Sequence, residues 1–254
     1  MIPSQFISIS IAVAALLWFF PAHADVRYVS GGPKLGGRLT VIDLGIIERG
    51  DYQRFVSAYQ RAELDWKGSG QDTATNVMLR LNSDGGDVRE AMAIGAKARS
   101  LRIWLYVHPK ARCVSSCVLV LAGGIRRTVY GRVGIHRPHL ALDDAVTVAQ
   151  QRRNYDELER AIKLYLTQVN IPISLYDTMF RISPQDVRFL TTTELQDFGL
   201  SGDDPYYEEA NMATAARQRG ISKSGMLARV AAAQRCGGPI EHQLECISDA
   251  LEGR

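Results

Sequence analysis

The sequence predicts an α/β fold built on a largely parallel sheet. Three observations carry that expectation. Short β-rich runs stand at 77–81 (VMLRL) and 103–107 (IWLYV). The segment between them, 88–100, places Ala91, Ile94, Gly95 and Ala98 on one helical face. The same order of strand, turn and helix then recurs further along the chain. Strands separated by helices of about a dozen residues are joined by crossover connections, which leave the strands parallel.

Taken in order, 39–44 (LTVIDL) is β-rich, and 50–63 carries Phe55, Tyr59 and Ala62 at helical spacing. A charged, glycine-containing loop occupies 66–75. The strand at 77–81 runs into NSDGGD, a turn, before the helix at 88–100. After the strand at 103–107 comes CVSSCVLVLAGG (113–124), which reads as strand, turn and apolar helix. Two short strands, 127–130 and 133–135, lie on either side of Gly131. A long helix is expected from 142 to about 169, with Asp143 and Asp144 at its positive end and Leu158, Ile162, Tyr165, Leu166 and Val169 as an apolar stripe. A further helix is expected at 174–181, and 186–190 then leads into Thr193-Glu194-Leu195 and a Phe-Gly-Leu stop. Beyond Asp204-Pro205 the chain turns Ala-rich and helical.

A length of 254 residues, 46% hydrophobic and 22% charged, fits one sizeable domain with an appendage and argues against disorder or a multi-span membrane protein. Thirty basic against 27 acidic side chains give a net charge of +3, spread along the chain, so there is no electrostatic case for a nucleic-acid partner. The run ISISIAVAALLWFF (7–20) is uncharged, short for a membrane span, and followed by Pro21-Ala22-His23-Ala24, whose small residues suit a signal peptidase. Residues 1–24 therefore read as a secretory signal cleaved before Asp25. A retained anchor is the alternative, because the segment before the apolar run holds no Lys or Arg. The expected organisation is signal (1–24), α/β domain (25–205) and helical extension (206–254). The expected location is periplasmic or secreted, where cysteine pairs are oxidised.

Four cysteines follow the signal. Cys236 and Cys246 bracket GGPIEHQLE, which suits a clip between two short helices. Cys113 and Cys117 are four apart and share a face where the chain is helical. A zinc site is the rival reading of the four, but C-x2-C spacing and a His cluster are both missing, so neither metal nor cofactor is expected.

The serines of CVSSC stand at the mouth of an apolar helix, where unpaired backbone N–H groups and the positive end of the dipole lie. Either they cap the helix or one of them is a nucleophile. The second reading needs a base and an oxyanion site. His136, in GIHRP at a strand end, is the leading base candidate. His108 ends the strand before the serine loop and precedes Pro109, and His139 is close in sequence; both rank below His136. Gly85 and Gly86 in NSDGG sit between strand and helix, where glycine lets the main chain aim N–H groups at developing charge. The N–H of Ser116 is a third donor.

Together NSDGG (82–86), SSCVLVLAGG (115–124) and IHRP (135–138) resemble the ClpP family of serine peptidases within the wider ClpP/crotonase fold. That family carries N-S-x-G-G after a strand, a Ser opening an apolar helix that ends in Ala-Gly, and a strand ending in Ile-His-x-Pro. The resemblance runs from about Leu39 to Leu200, including FLTTTELQDFGL (189–200). It implies repeated ββα units, Ser115 as nucleophile once Gly124 is laid on the family's helix-ending glycine, His136 as general base, and Gly85, Gly86 and Ser116 as oxyanion donors. The implied reaction is peptide-bond cleavage through an acyl-enzyme on Ser115, with a peptide or protein as substrate. A homo-oligomer is also implied, since family members form rings and the helix from 142 resembles the one packed between subunits.

The chain departs from the family at several points. The family's acidic triad position falls on Val187, with Asp186 one residue earlier, so Asp186 reaches His136 only where the chain bulges. Cys113 and Cys117 replace small residues around the Ser; joined, they would tighten its turn and make activity redox-sensitive. No nucleotide-binding P-loop appears, and export separates the chain from a cytoplasmic ATPase partner. The rival functional readings are a non-catalytic binding protein on the same fold, a Ser-Lys peptidase using Lys97 or Lys110, and a crotonase-type acyl-CoA enzyme.

Overall fold

A computed structural model describes residues 26–29, 39–67, 77–139 and 146–254. The expected signal at 1–24, and Asp143 and Asp144, lie outside the described residues; the long helix expected from 142 begins instead at Val148, because Thr147 is extended and caps it.

The first half of the described chain runs β1 (Arg27–Val29), β2 (Thr40–Leu44), α1 (Asp51–Trp66), β3 (Val77–Leu81), α2 (Val88–Ser100), β4 (Trp104–Val107), β5 (Arg112–Val114) and α3 (Cys117–Gly123). The second runs β6 (Arg126–Val129), β7 (Arg132–Ile135), α4 (Val148–Gln168), α5 (Ser174–Phe180), β8 (Arg188–Phe189), α6 (Thr192–Asp197), β9 (Gly202–Asp203), α7 (Pro205–Gln218), α8 (Lys223–Ala233) and α9 (Ile240–Glu252). Strands interleaved with helices form two sheets. The larger has the order β1-β2-β3-β4-β6-β9. Its four middle strands are parallel, and β1 and β9 pair antiparallel at its two ends. The smaller sheet, β5-β7-β8, combines one parallel and one antiparallel pair. The expected α/β class with a mostly parallel sheet is thus what the chain forms.

Register follows from the apolar pattern. Ile42, Leu79 and Leu105 stand side by side on neighbouring strands and are all fully buried. The next position in that row is Arg127, only 4% exposed. A guanidinium in a core row needs partners, since a buried unpaired charge is costly. It donates to the carbonyls of Ala122 and Gly199 and lies 3.8 Å from the Asp204 carboxylate. Burial still pushes it down to about 10.

The helices cover this sheet with the faces their spacing predicts. In α1, Phe55, Ala58, Tyr59, Ala62 and Trp66 are buried, and the helix runs past 63 because Trp66 packs inward with its indole N–H donating to Thr40 Oγ at 2.9 Å. α2 begins where expected because the Asp87 carboxylate accepts from the N–H groups of Arg89 and Glu90. α3 is apolar on every side, and all seven of its residues are buried. α2 and α3 cross at two glycines so closely that a Cβ on Gly123 would lie 2.6 Å from Gly95 Cα. α4 reaches over the same contact, and its Tyr165 hydroxyl donates to the Leu119 carbonyl at 2.8 Å. The α4 N-terminus is set by Thr147, which accepts from the Gln150 N–H. Each fully buried Leu or Ile in these layers contributes about 1.5–3 kcal/mol.

The expected extension is helical: α7, α8 and α9. Asp204 opens it, capping α7 through the N–H groups of Tyr206 and Tyr207 while its other oxygen takes a 2.7 Å hydrogen bond from Arg99. The Cys236–Cys246 disulfide, with Cα atoms 5.8 Å apart, joins the end of α8 to α9. Among the described residues no helix is long and apolar enough to cross a membrane.

Candidate active site

The site is assembled where β5 hands over to α3. Cys113 pairs with Val133 in the smaller sheet and is bridged to Cys117 by a disulfide, Cα to Cα 5.2 Å. The chain must therefore turn from strand to helix within Val114, Ser115 and Ser116. Ser115 takes the strain, with φ at 59°. The left-handed region costs a non-glycine residue about 1–2 kcal/mol, and such residues persist only where the surroundings fix them. Here the fixing is explicit: the Ser115 N–H donates to the Gly134 carbonyl at 3.0 Å, and its own carbonyl accepts from Val118. Neither serine is a side-chain cap. Ser116 occupies the N-cap position of α3 without a capping hydrogen bond, and its buried Oγ has no partner. The bland reading of CVSSC as helix-capping hydroxyls thus has no geometric basis.

NSDGG lies against this turn. Asn82 Oδ1 accepts from the Arg112 N–H, and Asp84 pairs with Arg112 at 2.5 Å, so the loop is tied to β5 from both ends. Gly85 (φ 103°) leaves no room for a side chain, since its Cβ would stand 2.6 Å from Ser115 Cβ. Gly86 (φ 138°) is pressed onto Ile47, where a Cβ would overlap the carbonyl oxygen. The three expected oxyanion donors separate here. The Gly85 N–H is committed to Ser83 Oγ at 3.1 Å. Gly86 and Ser116 line the cavity described below, and among the described residues their N–H groups donate to no other atom.

β7 ends at Ile135 and delivers His136, 7% exposed, two residues after the Gly134 that holds Ser115. Its Nδ1 is 2.9 Å from the Arg137 carbonyl oxygen. A carbonyl only accepts, so Nδ1 carries the proton, and Nε2 of the neutral ring keeps a free lone pair. Among the described residues no hydrogen bond joins His136 to Ser115; the two share the wall of one cavity.

Asp186 is not a partner of His136. It is exposed in the turn that its N–H closes onto the Ser183 carbonyl at 3.0 Å. The needed bulge is absent: β8 pairs with β7 in regular register, Phe189 opposite Gly134 and Arg188 opposite Ile135. Val187, at the position expected to hold an acid, packs on Gly134, whose Cβ would meet it at 2.6 Å. The orienting group of the imidazole is therefore a backbone carbonyl.

Ser115, Ser116, Gly86 and His136 share the wall of one cavity of about 560 Å³. Val88, Leu119, Pro138, Leu158, Met179 and Pro184 supply its apolar lining, and Asp84, Asp87, Arg89 and His139 its polar one. His139 stands 5.9 Å from His136, ring centre to ring centre. The rival bases lie elsewhere. His108 accepts from the Lys110 N–H on the exposed end of β4, Lys110 is itself exposed, and Lys97 is in the last turn of α2, opposite the end that meets the cavity. Among the described residues no three His, Cys, Asp or Glu side chains are placed to hold a metal ion.

Sequence reasoning missed the contribution of α5. Met179 and Pro184 close one side of the cavity, and Arg137 reaches back to this segment twice, its N–H to the Ile182 carbonyl at 3.0 Å and its Nε to the Phe180 carbonyl at 2.7 Å. No local pattern marks contacts formed across 43 positions of chain. No family model matches the chain, and no curated protein matches it.

Proposed function

We propose that the protein is an exported ClpP-like serine hydrolase that cleaves peptide bonds, on the repeated ββα plan of the ClpP/crotonase fold. The observation that carries this reading is the meeting of NSDGG, CVSSC and IHRP at one cavity, with Ser115 in a strained turn and His136 Nδ1 engaged by the Arg137 carbonyl, which leaves Nε2 as the nitrogen available to a proton. Three motifs spread over residues 82–138 are brought by strand pairing to one cavity wall, where among the described residues the N–H groups of Gly86 and Ser116 donate to no other atom.

The chemistry follows from those groups. His136 Nε2 takes the Ser115 hydroxyl proton as Oγ attacks the substrate carbonyl carbon. The negative charge that develops on the carbonyl oxygen is met by the N–H groups of Gly86 and Ser116. His136 returns the proton to the departing amine, and the acyl-enzyme is then hydrolysed by a water that the same nitrogen deprotonates. A neutral carbonyl stabilises the imidazolium less than a carboxylate does, so turnover is slow for this class. The chain acts as a homo-oligomer on a peptide or protein substrate, in a periplasmic or extracellular setting where both disulfides persist.

One observation favours a second reading, a binding protein on the same fold: among the described residues His136 has no carboxylate partner. A fluorophosphonate probe separates the two. Covalent labelling of Ser115, lost in both Ser115→Ala and His136→Ala, supports the hydrolase; a folded protein that resists labelling under oxidising and reducing conditions supports the binding protein.

A further inference from the structure

We infer that Arg137 is a positioning residue that does the work of the acid expected at the position of Val187: it anchors its own carbonyl to the end of α5, and that carbonyl fixes the tautomer of His136. The inference rests on the reading of His136 as general base. Its support is a chain of four contacts. His136 Nδ1 meets the Arg137 oxygen at 2.9 Å. A carbonyl on a free loop would rotate away, but Arg137 is held at its backbone N–H and again at its side chain. The Arg137 N–H donates to the Ile182 carbonyl at 3.0 Å, and Nε donates to the Phe180 carbonyl at 2.7 Å. The guanidinium also lies over the Phe180 ring, 4.6 Å from its centre.

These two carbonyls belong to the last turn of α5 and the residues just after it, where helix acceptors lack intrahelical donors. Arg137 satisfies them, so the clamp strengthens the helix end as it aims the imidazole. An ordinary neutral imidazole in water favours the proton on Nε2, the wrong nitrogen for a base that must receive a proton there. The Arg137 carbonyl reverses that preference. A carboxylate would do the same with more electrostatic benefit; the clamp supplies the orientation and omits the charge. The arrangement also makes catalysis depend on α5, whose Met179 forms part of the cavity wall.

The test is two-bond 1H–15N correlation spectroscopy on the full-length protein with 15N-labelled histidine, with the His136 signals assigned by a His136→Gln variant. The same samples are assayed for the rate of fluorophosphonate labelling at Ser115. Neutral His136 is expected in the Nδ1–H form in the wild type. In Arg137→Ala it is expected to shift to a mixture dominated by Nε2–H, with labelling slowed roughly tenfold to a hundredfold. Arg137→Lys, whose ammonium still reaches the Phe180 carbonyl, is expected to recover most of both. An Arg137→Ala protein that keeps the Nδ1–H tautomer overturns the inference. The spectra decide this even if the wild type never labels, an outcome that would count against the hydrolase reading alone.

Discussion

The N–H of Ser115 donates to the carbonyl of Gly134 at 3.0 Å, which binds the turn carrying the proposed nucleophile to the strand that delivers His136 two residues later. The two proposed catalytic side chains are thus referenced to one backbone hydrogen bond rather than to two independent loops. Displacing either element moves both groups together, which is how a site keeps its geometry through small motions of the surrounding helices.

The Cys113–Cys117 disulfide closes a ring of five residues around Ser115. Loop-closure entropy for so short a ring is about 2 kcal/mol. Replacing both cysteines by alanine is therefore expected to lower the denaturation midpoint modestly while slowing labelling of Ser115 at least tenfold, because the turn is free to relax from φ 59°. The Cys236→Ala/Cys246→Ala pair serves as control: about 3 kcal/mol of local stability in the α8–α9 pair, with no change in labelling.

Gly86→Ala would place a methyl group on the Ile47 carbonyl oxygen at a φ of 138°. The expected cost is about 2–4 kcal/mol, from steric overlap and a conformation that alanine avoids. Urea denaturation followed by circular dichroism measures it. A loss below about 0.5 kcal/mol would mean that the loop is not held as described.

Asp186→Asn is expected to leave the labelling rate and its pH dependence within about twofold of wild type, since the side chain is exposed and makes no hydrogen bond to His136. A marked drop would restore Asp186 to the triad and would require β8 to shift out of its register with β7.

Asp204→Asn leaves Arg127 and Arg99 without their anion, and breaking a buried pair from one side costs about 3–5 kcal/mol. In the wild type, burial on its own would raise the Asp204 carboxyl, but the hydrogen bond and charge of Arg99 outweigh it and hold the group below the ordinary value of 3.8. A carboxyl depressed on folding stabilises the protein above its unfolded pKa, and that contribution disappears as pH falls through the folded value. The stability gap between wild type and Asp204→Asn should therefore be full near about pH 7 and narrow below about pH 3.

Local chemistry made some elements legible from the sequence alone. β3 and α2 fall at 77–81 and 88–100 as expected, because Asp87 caps the helix and NSDGG cannot continue the strand. Tertiary packing decided the rest: α1 extends to Trp66 because Thr40 offers its indole a partner, and Arg127 sits in a core row only because Asp204 lies 77 positions later. At the site, residue types and order pointed to Ser115, Gly86 and His136. The commitment of the Gly85 N–H to Ser83, and the clamp of Arg137 on α5, depend on bond directions and on distant backbone that no motif encodes.

Asp204 has one further consequence, for how the chain can be shortened. Although it opens α7, it is 1% exposed and belongs to the interior, where it neutralises cations on α2 and β6. Its other oxygen needs only the N–H groups of Tyr206 and Tyr207. A truncation just after Glu208, whose N–H donates to the Asp204 carbonyl, would therefore remove nearly the whole extension and still spare the contacts that Asp204 makes, whereas one ending at Gly202 would strand two arginines in the core. As far as Asp204 is concerned, the interior of this protein ends a few residues beyond the place where its helical tail begins.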